Sequence, residues 1–450
     1  MLPLLKRALP AAAASFMLAT SPAVLAEQTQ ETESLNFIWI VADDLGYGDT
    51  GFNGSTEIPT PNMDRIADAG VAMTTAYVSA PVSGPSRAGF HTGRYQHRWG
   101  YEGNVGPQDP ELRGTPTDII MIQEYLKTQG YHTGLVGKFH DGKGEHFQPY
   151  NRGFDEYFGF NNGASAYWME TNRNNLLYRN DKPIDGEPEY LTDAFGREAV
   201  DFIKRNSEKP FFLEVSFNAP HAPMTAPDDY MEKFDHLGER QTLAAMISNM
   251  DDNIGRILDK LETKGIADKT MVVLFSDNGG KWQHGGTNGP LRGEKGGTFE
   301  GAIRVPFAAS LPGMIPAGTR SDTMISALDL FPTTVKLAGG EIDPEWNLDG
   351  KDILPVLSGE TEESPHDRLF WRYGDSWALR EGEWKLVQHR REEAGLYNLA
   401  EDIGEENNLI NEYPEKTRQM HQTWQEISDE VGAAAWGRFR GRTDRQMREG

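Results

Sequence analysis

Two unbroken apolar runs limit the folds open to this chain. Residues 35–42 read LNFIWIVA and residues 270–275 read TMVVLF, with β-branched and aromatic side chains at successive positions. A strand of that kind is buried on both faces, as in a parallel sheet covered by helices on each side. Each run ends in acids or amides, Asp43-Asp44 after the first and Ser276-Asp277-Asn278-Gly279 after the second. Residues 210–215 (PFFLEV) form a third buried strand, residues 132–138 (HTGLVGK) a weaker one, and residues 71–80 a β-rich segment. Helical periodicity falls between them, over 62–69, 118–128, 192–204, 243–261 and 324–337. The pattern predicts an α/β fold with a mostly parallel central sheet flanked by helices. In such sheets the ligand crevice lies at the carboxyl ends of the strands, where these acids stand.

The composition changes after about residue 345. Residues 368–400 break into short alternating pieces (RLFWRY, SWALRE, EWKLVQH, GLYNL) separated by glycine and charged turns, which predicts a small antiparallel sheet, followed by a helix over 414–431. The expected division is a signal peptide at 1–26, a larger domain at 27–345 and a smaller α+β domain at 346–450. Lys6-Arg7, a short apolar stretch and the small residues of Val24-Leu25-Ala26 carry the signal-peptide reading, and with it a periplasmic or secreted location. That stretch is too short to span a bilayer, so no stable membrane insertion is expected. Residues 141–190, rich in Gly, Asn and aromatics, read as long irregular connections of the kind that build active-site loops. The arginines at 438–448 read as a solvated tail.

The chain has no cysteine, which excludes disulfide-built folds, thiolate metal sites and a cysteine nucleophile. Its formal charge of −24 argues against nucleic acid as a partner. An anion would have to be held in a locally basic pocket.

Ser83-Gly84-Pro85-Ser86-Arg87, followed by His91-Thr92-Gly93-Arg94, resembles the signature of the type I sulfatases, metal-dependent members of the alkaline-phosphatase-like superfamily. Further matching pieces stand in order at 43–44, 138–140, 218–223, 277–278, 291–306 and 377–409, so the resemblance covers nearly the whole chain after the signal segment. In that family the first signature residue is Cys or Ser and is oxidised to formylglycine by a maturation enzyme. The resemblance therefore makes Ser83 the precursor of the nucleophile. One hydroxyl of the aldehyde hydrate attacks sulfur. The other later loses a proton and expels sulfate, a release route closed to plain serine.

Carboxylates and an amide oxygen are hard ligands suited to Ca²⁺ or Mg²⁺. The resemblance assigns Asp43, Asp44, Asp277 and Asn278, together with the residue at 83, to one ion and favours calcium over magnesium. It also implies a basic ring of Arg87, Lys138, His140, His221 and Lys295. Gly137-Lys138-Phe139-His140 matches a family segment in which Trp is usual at 139, and Asn218 to Pro223 matches a histidine-bearing segment. Fixed cations stabilise charge spreading onto the leaving oxygen as the S–O bond breaks. His221 or Lys295 is the candidate to protonate the leaving alcohol, and His140 the candidate base for sulfate release.

The expected substrate is a sulfated poly- or oligosaccharide, with Tyr157, Tyr167, Trp168, Trp282, His284, Trp371, Tyr373 and Trp377 as candidates to stack on sugar rings. Two other readings fit the same scaffold: a phosphatase or phosphonate monoester hydrolase, and a non-catalytic glycan-binding homologue.

Overall fold

The computed structural model describes residues 34–105, 113–169, 177–390 and 392–435. The segments read as a signal peptide and as a solvated arginine tail lie outside the described residues. Strand β1 (Asn36–Ala42) occupies the centre of a ten-stranded sheet. The other strands of that sheet are β2 (Val71–Met73), β4 (His132–Lys138), β5 (Glu156–Phe160), β6 (Leu177–Arg179), β7 (Lys182–Ile184), β8 (Phe211–Ser216), β9 (Thr270–Ser276), β10 (Phe307–Ser310) and β11 (Thr319–Ser321). Their order is β11-β2-β10-β9-β1-β8-β4-β5-β6-β7. The central run from β9 through β5 is parallel, while β10, β6 and β7 pair antiparallel with their neighbours. A separate pair joins β3 (Ala76–Tyr77) to β12 (Ile325–Ser326).

Alternate residues of the central strands face two separate cores. Ile38, Ile40, Leu213, Val215, Val272 and Leu274 pack on one side, with helices α1 (Pro61–Asp68), α4 (Leu191–Asn206) and α6 (Gln241–Lys264). Phe37, Trp39, Val41, Phe212, Val273 and Phe275 pack on the other, with α2 (Ser83–Thr92), α3 (Ile122–Thr128) and α8 (Leu330–Leu337). Both faces of these strands are buried, which is why their sequences lack polar alternation. Shorter helices α5 (Asp228–Lys233), α7 (Glu300–Ile303) and α9 (Leu354–Leu357) fill the connections.

A second sheet, β13 (Arg368–Tyr373), β14 (Ser376–Glu381), β15 (Trp384–Gln388) and β16 (Gly395–Asn398), is an antiparallel meander in sequence order. Helix α10 (Pro414–Val431) covers it through Met420 and Trp424, which pack on Phe370, Leu379 and Leu386.

Several elements depart from the sequence expectation. The weak strand at 132–138 is a full, buried member of the parallel core. The region 141–190 carries three strands, β5, β6 and β7, and is not irregular throughout. The helix expected at 118 starts at Ile122, where the Glu124 carboxylate accepts the Met121 N–H at 2.9 Å and closes the first turn. The helix expected at 324 starts later too, because Ile325 pairs with Ala76 and the Ser326 hydroxyl accepts the Leu328 N–H.

Candidate active site

β1 and β9 are parallel neighbours in a register that sets Ala42 beside Ser276. The residues that follow therefore leave the sheet side by side, and all four of Asp43, Asp44, Asp277 and Asn278 are buried. The Asn278 amide donates to Asp44 Oδ1 at 2.7 Å, and the Asp44 N–H donates to Asp277 Oδ1 at 3.3 Å. Asp44 itself is turned into the left-handed region, with φ 67°, a conformation that costs a non-glycine residue energy and recurs at functional sites.

Ser83 is the first residue of α2, which is buried along its whole length. Its hydroxyl lies 3.2 Å from Asp43 Oδ1 and 3.3 Å from Asn278 Oδ1. The helix start directs its backbone dipole at this point, which favours negative charge on the nucleophile or on a bound anion. One turn on, Arg87 is wholly buried. It donates to Asp277 Oδ2 at 3.0 Å, to the Lys138 carbonyl at 3.0 Å and to Ser216 Oγ at 2.5 Å. Burial opposes the charge on Arg87, but Asp277 and Asp43 outweigh it and raise its pKa.

The other cations surround the acids. Lys138, ending β4, places Nζ 2.6 Å from Asp43 Oδ2. Burial pulls the Lys138 pKa below its usual value despite Asp43. Lys295 Nζ is 2.5 Å from Asp44 Oδ1, and here the three carboxylates overcome burial and raise the pKa. Burial pushes the Asp43 and Asp44 carboxyls up, yet Lys138 and His221 for Asp43, and Lys295 and His221 for Asp44, bring both below the ordinary range. His221 Nε2 lies 3.7 Å from Asp44 Oδ2, and its Nδ1 is 2.6 Å from the Ala222 carbonyl, which fixes the ring. His140 is buried with φ 58°. Burial, then Lys138 and Arg87, push its imidazole well below the usual histidine value, so the ring is held neutral. Gly163 makes room for it, since a Cβ there would lie 3.0 Å from His140 Nε2.

The structure thus gathers the sequence-assigned acids, Ser83 and the basic ring at one edge of the sheet, although no hydrogen bond joins His140 to Ser83 among the described residues. The donor set fits a hard divalent cation. Three buried carboxylates and an amide oxygen converge, and Asp44 Oδ2 is buried without a hydrogen-bond partner. Ligand atoms of Asp43, Asp44 and His221 also lie within 4.8 Å of one another.

Ser216 and Asn218 had no role in the sequence reading, and Tyr167 has a different one from that expected. Ser216, the last residue of β8, anchors Arg87. Asn218 is buried with both amide atoms unpartnered among the described residues. The Tyr167 hydroxyl donates to the carbonyls of Asn218 at 2.6 Å and His221 at 2.8 Å, so Tyr167 holds the histidine segment and does not stack on a ligand. A polar residue at the end of a buried strand, or just beyond it, was the available signal for Ser216 and Asn218. Tyr157, Trp371 and Trp377 are also buried in the cores, whereas Trp168 and Trp282 are exposed.

The chain matches the family model described as Sulfatase over residues 35–340, and the model described as N-sulphoglucosamine sulphohydrolase, C-terminal, over residues 294–430. N-acetylgalactosamine-6-sulfatase of Sus scrofa is 34% identical over 385 residues, spanning 76% of this chain and 73% of the relative. Steryl-sulfatase of Homo sapiens is 30% identical over 421 residues, spanning 74% of this chain and 71% of the relative. The solved structure of Ps i-CgsB in complex with k-i-k-neocarrahexaose superposes with a TM-score of 0.86 at 35% identity, covering 92% of this chain and 97% of that one. With its acid cluster, buried serine and ring of cations at the carboxyl edge of the sheet, the chain belongs to the sulfatase family and is a sulfuric ester hydrolase.

Proposed function

We propose that this sulfatase removes sulfate from a sulfated poly- or oligosaccharide, using a formylglycine hydrate made from Ser83 and one calcium ion. The observation that carries the reading is the position of Ser83, with its hydroxyl within 3.3 Å of both Asp43 and Asn278 at the start of a buried helix. The carbohydrate reading draws on the similarity to Ps i-CgsB, whose solved complex holds an oligosaccharide, over nearly the full length of both chains. The curated relatives do not choose the alcohol, since both a sugar sulfatase and a steryl sulfatase stand at similar identity. A signal peptide at 1–26 would place the enzyme outside the cytoplasm, where polymeric substrates are met.

Asp43, Asp44, Asp277 and Asn278 would hold the ion, with the residue at 83 beside it, and a bound cation supplies charge neutralisation for the sulfate oxygens and for a deprotonated hydroxyl. The hydrate supplies two hydroxyls on one carbon, one to attack sulfur and one to lose the proton that lets sulfate leave. Arg87, one turn further along the same helix, fixes Asp277 next to Asn278, whose Oδ1 the Ser83 hydroxyl contacts. Lys138 and Lys295 offer fixed positive charge to the sulfate oxygens. His221, tethered through Nδ1, presents Nε2 toward the leaving oxygen and can give it a proton. His140, neutral in its buried setting, takes the proton whose removal triggers sulfate release.

Two measurements test this. Mass spectrometry of the peptide containing Ser83, from the native source, should show the loss of two hydrogens and reactivity toward an aldehyde reagent. The isolated enzyme should release inorganic sulfate from k-i-k-neocarrahexaose, lose that activity in a chelator and regain it with Ca²⁺. An unmodified Ser83 in an active enzyme would refute the nucleophile, and full activity in verified metal-free protein would refute the metal.

A further inference from the structure

The loop from Asn278 to Lys295 begins on one residue of the acid cluster and ends on the lysine that bonds Asp44. It is clamped along its length. Asn288 accepts the Gly280 N–H at 2.8 Å and donates to the carbonyls of Gly280 and Gly293, both at 3.1 Å. Lys281 Nζ bonds Glu294 Oε1 at 2.9 Å, and the Trp282 N–H donates to Glu294 Oε2 at 2.8 Å. Arg240 Nε donates to the Gly285 carbonyl at 2.9 Å. Backbone also meets backbone where this loop lies on the loop after β1: a Cβ on Gly280 would stand 2.8 Å from Gly46 Cα, and one on Gly46 2.2 Å from the Thr287 oxygen.

This rigid support carries the single turn Trp282–His284. Trp282 is 57% exposed, the most exposed large hydrophobic residue described, and its indole pairs with no other ring among the described residues. His284 is half-buried, and its Nδ1 is enclosed without a partner among the described residues. The Lys295 N–H donates to the Gly280 carbonyl at 3.3 Å, so the two ends of the loop meet beside the acid cluster and the turn stands next to it. An indole held out on a fixed loop offers a flat apolar face at little ordering cost. A histidine beside it offers a hydrogen bond.

We propose that Trp282 and His284 form the sugar subsite beside the scissile ester: the indole stacks on the face of a sugar ring, and the His284 imidazole takes one of its hydroxyls. This rests on the reading of the substrate as a sulfated oligosaccharide. Trp282 is exposed on an anchored loop, so its replacement removes no packed core contact.

The test compares Trp282→Ala, Trp282→Phe and His284→Ala with the wild type on k-i-k-neocarrahexaose and on 4-nitrophenyl sulfate, which has no sugar. Trp282→Ala should lower kcat/KM for the hexasaccharide by at least about tenfold more than for the aryl ester, chiefly through KM. Trp282→Phe should recover part of the loss, and His284→Ala should change the ratio in the same direction. Equal losses on both esters, or none on the hexasaccharide, would overturn the subsite. Calorimetric binding separates this from the functional reading. If the wild type frees sulfate from neither compound, the activity assignment fails, while hexasaccharide binding at least about tenfold weaker in Trp282→Ala would still support the subsite. Equal affinity, or no binding by the wild type, would overturn it.

Discussion

Arg87 commits its guanidinium to three elements at once: Asp277 after β9, the Lys138 carbonyl at the end of β4 and Ser216 at the end of β8. A lysine there would keep the charge but lose the planar fork that reaches three directions. Arg87→Lys should therefore lower kcat by about 10², the scale of losing one preorganised donor. It should change KM for a small aryl sulfate far less, because the lost tethers fix the nucleophile and not the leaving group. A KM change as large as the kcat change, in steady-state rates on 4-nitrophenyl sulfate, would contradict this. The same residue shows what was legible. Asp43, Asp44, Asp277 and Asn278 could be read because each directly follows a buried strand, and topology alone then brings them together. Lys138, His140, His221 and Lys295 were legible through their motif setting, since a single Lys or His in a sequence is chemically ambiguous. Ser216 was not read, because its partner Arg87 comes from a distant stretch of chain. The aromatic residues were ambiguous for another reason: Tyr167 and Trp282 both sit in loops, and only packing separates a buttress from an exposed ring.

At the scale of elements, unbroken apolar runs made β1, β8 and β9 legible, while short elements were misread wherever a tertiary contact set the boundary. β12 exists because β3 is there to pair with it. The start of α1, expected at residue 62 and found at Pro61, also rests on a tertiary contact. Asp251, on α6, accepts the N–H groups of Asn62 at 3.1 Å and Met63 at 2.8 Å, and the Asn62 side-chain amide at 2.9 Å. A carboxylate from a different helix thus caps the first turn of α1, which no local capping signal reveals. Burial pushes the Asp251 carboxyl up to about 6, against these donors, from an unfolded value near 3.8. Because the folded value is the higher one, the folded state binds the proton more tightly. The associated stability is complete below about pH 3.8 and is lost as pH rises through about 6. Asp251→Asn removes the titration. In urea unfolding at fixed metal content, the stability difference between wild type and Asp251→Asn should shift against the wild type by on the order of 2 kcal/mol between pH 4 and pH 7. A difference independent of pH would mean that the carboxyl titrates in its ordinary range. Asp251→Ala should cost about 1–3 kcal/mol at either pH, because it leaves the helix start without its acceptor.

At the scale of the molecule, the loop bearing Lys295 lies between the two sheets and is gripped by the smaller one. Thr298 donates to the Gln388 carbonyl at 3.2 Å, Arg292 donates to the Glu405 carbonyl at 2.7 Å, and Phe299 packs on the His389 ring. Beneath them Lys385 of β15 is wholly buried, 2.9 Å from both Glu300 and Glu405. Glu300 also accepts from the Tyr77 hydroxyl at 2.6 Å and pairs with Arg304 at 3.3 Å. Burial opposes its charge, but Lys385, Arg304 and Arg380 hold the Glu300 carboxyl down at about 2, whereas burial pushes Glu405 up to about 7. One lysine therefore joins two carboxylates of unequal character, and one of them, Glu300, stands five residues along the chain from Lys295. The two family matches overlap on this loop, the first ending at residue 340 and the second beginning at 294. If the smaller sheet positions Lys295, a defect at Lys385 must be felt at the sulfate site. Lys385→Met is close in shape and leaves two buried carboxylates facing each other, so it should destabilise the protein by about 3–5 kcal/mol. Well below its lowered melting temperature, the variant should also lose kcat/KM on 4-nitrophenyl sulfate, while Lys385→Arg, which restores the charge, should recover part of both. Activity equal to wild type in a destabilised Lys385→Met would show that the buried pair holds the sheets together without fixing Lys295. A loss that persists when folding is verified by circular dichroism at the assay temperature, and that Lys385→Arg partly reverses, is what a positioning role requires.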